Sequence, residues 1–148
     1  MALSKIDADG VSGLQASITA TTTVPSEGGA VTTNLVHGLA KMWVNFDGTA
    51  SGAASRDSVN VSGMLDDAAG KYTASYTNSM LNGTYAFTTA TVDGGTTNRG
   101  GNTLNLRNGS SPETGNIKLE SRYGANPNNN GGLGDGGFMF VTVMGDLA

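Results

Sequence analysis

Histidine occurs once, at His37 beside Gly38. A histidine base needs a nucleophile and an orienting acid supplied by neighbouring motifs, and none surrounds it. His37 therefore reads as a polar turn residue. The one pair of adjacent carboxylates is Asp66-Asp67. Glycoside hydrolysis needs two carboxylates facing a cleft. Here the pair reads instead as part of a bend, where Asp accepts local backbone hydrogen bonds. Asp7-Ala8-Asp9-Gly10 opens like a calcium loop but lacks the later acidic ligands and the closing Glu. There is no cysteine, which removes disulfides, thiolate zinc sites and thiol catalysis together. The Gly-rich stretches contain no Gly-Lys-Ser/Thr, so they carry no phosphate-binding signature.

Asn60-Val61-Ser62, Asn82-Gly83-Thr84 and Asn108-Gly109-Ser110 match the glycosylation pattern. With no secretory signal in view they read as strand and turn residues. Trp43 and the tyrosines have the faces to stack on sugars, but Trp43 lies in an apolar run and reads as core. The expectation is a non-enzyme with no catalytic, cofactor-binding or metal-ligating residue. A glycan-cleaving enzyme is the minor alternative.

Residues without chemistry of their own still have to be held by something, and composition narrows what. The chain has 148 residues, 23 of them Gly, and only 14% are charged. A length of this order suits one domain, with a core able to bury about two-thirds of the unfolded surface. Too few charges are present for a disordered tail, and the glycines lack the every-third-residue period of collagen. A helical bundle would need more Ala, Glu, Lys and Leu. The net charge is −4, and the basic residues are scattered singly, so no stripe exists for nucleic acid. The acidic balance also disfavours anionic membranes. The opening residues lack the apolar run of a signal peptide, and no stretch is long enough to span a bilayer.

Residues 1–38 carry irregularly spaced apolar positions, a β-branched run at Thr19–Thr23 and a Pro25–Gly29 turn. They read as an extended arm that needs a partner surface. From residue 39 the pattern becomes β-like. Strands are expected near 39–46, 56–62, 71–77, 83–92, 103–107, 116–122 and 137–144. Val59 and Val61 are expected to share one face, as are Tyr72, Ala74 and Tyr76. Asp66–Gly70 is expected to join the second and third runs as a hairpin. The last run, Gly137–Met144, is apolar on both faces, which places it centrally or at a subunit contact. Seven strands separated by turn chemistry predict an all-β antiparallel sandwich or jelly-roll-like knob. Two low-complexity loops, 93–102 and 124–136, interrupt it.

One ordered set of motifs is more specific. It runs Lys41-Met42-Trp43-Val44-Asn45-Phe46-Asp47-Gly48-Thr49, Arg56-Asp57-Ser58-Val59-Asn60-Val61-Ser62, Gly70-Lys71-Tyr72-Thr73 and Met80-Leu81-Asn82-Gly83-Thr84-Tyr85. This order and spacing resembles the C-terminal knob domain of bacteriophage tail-fibre proteins of the marine phage type. The resemblance covers 39 to about 92 in motif and 93–148 in character only. It implies a β-sandwich knob, 39–148, that forms homotrimers at fibre tips on the virion surface and faces a host glycan or protein. It implies no catalytic residue. Only 38 residues precede the knob instead of a shaft, so residues 1–38 are expected to attach it to other virion proteins of the capsid or tail. A short fibre or tail appendage is the leading expectation. A capsid decoration (cement) protein is the alternative. Assembly would take place in the host cytoplasm, with no nucleic-acid or membrane partner. The long Asn/Gly loops, 93–102 and 124–136, are the expected host-contact surface, because loops on a rigid scaffold vary without disturbing the core.

Overall fold

The computed structural model describes residues 23–25, 32–34, 39–92, 100–124 and 131–148. Its contacts divide the chain into two units, Met1–Leu39 and Ala40–Ala148. In the first, β1 (Thr23–Pro25) and β2 (Thr32–Asn34) pair antiparallel, with Pro25 opposite Thr32. These six residues are the described part of the expected arm, 1–38. Its other residues, His37, Asp7 and Asp9 among them, lie outside the described residues.

The second unit is all β, and among the described residues there is no helix. Its strands are β3 (Ala40–Asp47), β4 (Ala54–Val59), β5 (Val61–Ala68), β6 (Lys71–Tyr76), β7 (Ala86–Val92), β8 (Gly100–Leu106), β9 (Asn116–Gly124), β10 (Gly132–Leu133) and β11 (Phe138–Met144). They form two antiparallel sheets packed as a sandwich. The first runs β4-β3-β11-β7. The second runs β5-β6-β9 with β8 on the far side of β9, and β10 takes up the row of β6 beyond Gly70. The apolar final run is central, as its composition predicts, hydrogen-bonded to β3 on one side and β7 on the other.

Alternation fills the space between the sheets. Met42, Val44 and Phe46 of β3 face Tyr72, Ala74 and Tyr76 of β6, with Ile117 and Leu119 of β9 and Met139, Val141 and Val143 of β11 completing the core. Phe46 meets Tyr72 edge to face at 5.2 Å between ring centroids. Tyr76 meets Tyr85 likewise at 6.2 Å, and their hydroxyls are 2.9 Å apart. Truncating a fully buried aromatic such as Phe46 to Ala in a core this tight costs about 3–5 kcal/mol.

Three sequence expectations change. The run 56–62 is not one strand. Asn60 adopts φ 58°, a left-handed conformation that Asn tolerates better than most residues. Its side chain is tied at both ends to Asn78: Asn60 Nδ2 donates to Asn78 O at 3.0 Å, and Asn78 N donates to Asn60 Oδ1 at 2.7 Å. The chain turns there and crosses from one sheet to the other. Val59 is thus exposed on the first sheet while Val61 packs against the core, and the two do not share a face. The hairpin bend is also shorter than expected. β5 continues through Asp66 and Asp67 to Ala68, leaving Ala69-Gly70 as the turn. Bulges at Val61/Gly63 and Asp66/Ala68 absorb the extra residues. In the expected 83–92 strand, pairing begins only at Ala86. Asn82 instead closes a local turn by accepting hydrogen bonds from the Thr84 amide and hydroxyl.

Candidate functional site

The two low-complexity loops leave the sandwich at the same end. Val92 pairs with Phe138, and Gly100 pairs with Gly124, so both loops are rooted beside one another. Residues 93–99 and 125–130 themselves lie outside the described residues. The remainder of 124–136 is not free loop. Gly132 and Leu133 pair with Tyr123 and Arg122, and the next three residues clamp the end of the sandwich. Gly134 N donates to Ser121 O at 3.2 Å, and Gly48 N donates to Gly136 O at 2.9 Å. Between them, Asp135 Oδ1 accepts from both Gly70 N and the Tyr72 hydroxyl at 2.6 Å. Burial, and then the hydrogen bond to Asp135, push the Tyr72 phenol well above its usual range.

Glycine at 70 is a geometric requirement of this clamp. Its φ is +67°, and a Cβ there would lie 2.6 Å from both Gly134 N and Ser121 O. The opposite end of the sandwich receives the chain at Ala40, which pairs with Met144. The 78–85 and 107–115 connections gather there too, through Leu81 N to Asp146 O and Met80 N to Thr114 O, both 2.8 Å. The second unit thus has an entry end and a loop end.

Its two outer faces differ in chemistry. On the first sheet, strand alternation turns Trp43 and Asn45 of β3 outward, between the buried Met42, Val44 and Phe46. Trp43 is therefore a half-buried residue of the outer face and not the core residue expected from its apolar run. Beside it on β11 stand Phe138, Phe140 and Met144, all exposed, flanked by exposed Val59 and Val92 on the edge strands. Two opposite charges on this face pair with each other. The Arg56 guanidinium lies 4.2 Å from the centroid of the Phe138 ring and 2.6 Å from Asp47 Oδ2. The Thr49 hydroxyl, with Arg56 assisting, holds the Asp47 carboxyl below its ordinary range.

The outer face of the second sheet is mostly polar, with Leu65 its exposed apolar exception, and carries ion pairs. Arg107 pairs with Asp67, Lys118 with Glu113 at 2.5 Å, and Arg122 with Glu120 at 2.5 Å. Arg107 also donates to Tyr72 O at 2.9 Å. Burial opposes ionisation of Asp67, but hydrogen bonds from Arg107 and from the Thr73 hydroxyl outweigh it and lower its pKa. Half of the one adjacent carboxylate pair is therefore committed to an ion pair. Among the described residues no group of three or more His, Cys, Asp or Glu is placed to hold a metal ion, and no helix is long and apolar enough to cross a membrane.

The apolar face was the feature least visible beforehand, and a signal for it existed. Trp43 shares its parity with Asn45 and Asp47, whereas Met42, Val44 and Phe46 share the other. The polar pair marks the outward side. No family model matches the chain, and neither a curated protein nor a solved structure matches it.

Proposed function

We propose that this protein is a structural component of a bacteriophage particle, a short trimeric fibre or tail appendage whose knob presents its loop end to a host surface. The observation that carries the reading is the apolar outer face of the first sheet. A patch of exposed Phe138, Phe140, Met144 and Val59 around the half-buried Trp43 is the mark of an association surface. In the trimer these faces turn inward and the ion-paired faces turn out. Residues 1–38 hold the knob to other virion proteins. The chain enters the knob at the end opposite the loop roots. The motif resemblance to tail-fibre knobs supplies the phage context. The partner at the loop end is a host glycan or protein, engaged weakly per site and strengthened by three-fold valency.

The test begins with the mass in solution of the wild type and of Phe140→Glu. Phe140 is 36% exposed. Taking about 200 Å² for an aromatic side chain, its accessible part is roughly 70 Å², worth about 1.5–2 kcal/mol on burial. The variant should keep its fold and weaken assembly by about 10–30-fold. A wild type that stays monomeric at micromolar concentration overturns the trimer. Adsorption of particles lacking the protein then separates the two placements. Lost adsorption supports the appendage, whereas normal adsorption with fragile heads supports capsid decoration.

A further inference from the structure

Three Asn-Gly pairs occur in the chain, at 82–83, 108–109 and 130–131; Asn130 lies outside the described residues. Asn-Gly is the dipeptide in which a backbone nitrogen most easily reaches the preceding side-chain amide, because glycine places no Cβ in the way. Whether it does so in a folded protein depends on how firmly the amide and the following peptide are held. The structure holds the two described pairs very differently.

Asn82 is tied down. Its Oδ1 accepts from Thr84 N at 2.9 Å and from Thr84 Oγ1 at 2.5 Å. Both bonds keep the amide turned towards Thr84. The following glycine is packed against backbone, since a Cβ on Gly83 would lie 2.5 Å from Pro112 O. Asn108 is exposed, and among the described residues nothing hydrogen-bonds its side chain. It sits in the Arg107–Ser110 turn, closed by Ser110 N donating to Arg107 O at 3.0 Å. Gly109, at φ +77°, has no heavy atom within 4 Å of its Cβ position. Neither the amide nor the peptide beside it is restrained by packing.

We propose that Asn108 is a site of spontaneous modification, converting to aspartate and isoaspartate in the folded protein while Asn82 is protected. The Gly109 nitrogen loses its proton and attacks Cγ of Asn108. A new C–N bond closes a five-membered succinimide, and the side-chain amide nitrogen leaves as ammonia, carrying the proton. Water then opens the ring at one of its two carbonyls. Opening at the backbone-derived carbonyl yields isoaspartate, with the main chain rerouted through the side-chain carbon. Opening at the other yields aspartate. Either product places a carboxylate beside Arg107, in the β8–β9 connection at the entry end, and takes the formal charge one unit below −4.

The experiment incubates the full chain at mildly alkaline pH, folded and in denaturant, and follows the Asn82-Gly83 and Asn108-Gly109 peptides by mass spectrometry with isoaspartate identified by fragmentation. In the folded protein Asn108 should convert at least about tenfold faster than Asn82, a barrier difference of about 1.4 kcal/mol. In denaturant the two rates should approach each other, because the restraint on Asn82 is structural. Asn108→Gln should abolish the acidic form of the peptide that contains residue 108 in the folded protein. Equal rates in the folded state, or a ratio that survives denaturation, would overturn the proposal.

Discussion

Replacing Tyr72 by Phe removes one hydroxyl and leaves the ring against Phe46. The lost group donates to a carboxylate oxygen, Asp135 Oδ1, at 2.6 Å; Gly48 O, at 3.4 Å, is a minor acceptor. A hydrogen bond to a charged group contributes about 1.5–3 kcal/mol. Asp135 keeps its bond from Gly70 N, so the lower part of that range applies, about 1.5–2 kcal/mol at neutral pH. For a sandwich of this size that lowers Tm by about 5–10 °C. The alkaline limb adds an independent reading. The phenol is held neutral above its ordinary value of about 10. Above pH 10 the unfolded chain releases this proton and the folded protein does not. The stability involved is fully present below pH 10 and falls above it by about 1.4 kcal/mol per pH unit for each such tyrosine. Tyr76 and Tyr85 are raised by burial in the same sense. Tyr72→Phe removes one share of that slope, so the variant starts less stable and the gap to wild type closes as pH rises. Urea unfolding at pH 8, 10 and 11 measures both terms. A gap that stays constant across this range would refute the argument that the buried hydroxyl stays protonated in the clamp.

Gly70→Ala must force a left-handed backbone and drive a Cβ against two backbone atoms at 2.6 Å. Neither atom can swing away as a side-chain end would, so a loss above about 2 kcal/mol is expected in the urea midpoint; an unchanged midpoint would contradict the clamp geometry. Asp67→Asn tests the acid limb. The Asp67 pKa is lowered in the fold, so its contribution is present above the unfolded value of about 4 and is lost as pH falls through the folded one. The variant should lose about 0.5–1 kcal/mol at neutral pH and show a flatter decline between pH 5 and 2, followed by chemical unfolding; a decline as steep as wild type would exclude Asp67 from the acid response.

What local pattern encodes, the sequence made readable. Tyr72, Ala74 and Tyr76 alternate with polar neighbours over one short run, and all three are buried. The same holds for Ile117 and Leu119. The period of two survives because each of these strands has one wet face. At Asn60 the alternation continues across the residue while the backbone turns, so the pattern is silent about the break. The tether responsible lies 18 residues away at Asn78. The clamp was hidden for the same reason on a longer scale. Asp135 bonds to residues 65 and 63 positions earlier, and within its Gly-rich surroundings it resembles any turn Asp. Composition marked 124–136 as loop, yet its second half is strand and anchor. Replacing the whole segment would therefore disturb the fold as well as any surface it presents, and a loop exchange should stop before Gly131.

The pairing of β3 with β11 sets the order in which this molecule can be made. These are the two central strands of one sheet, yet β3 ends at Asp47 and β11 begins only at Phe138. At ordinary translation rates of about 5–20 residues per second, some 5–20 s pass before the partner exists. Throughout that interval a nascent chain carries Met42, Trp43, Val44 and Phe46 on a strand that has β4 on one side and an open edge on the other. The hairpins β3–β4 and β5–β6 can form early from near neighbours, but closing the sheet waits for a contact between distant parts of the chain, the kind that slows folding. During synthesis, the open edge of β3 is therefore where a ribosome-bound chaperone would find its grip and where neighbouring nascent chains would stick.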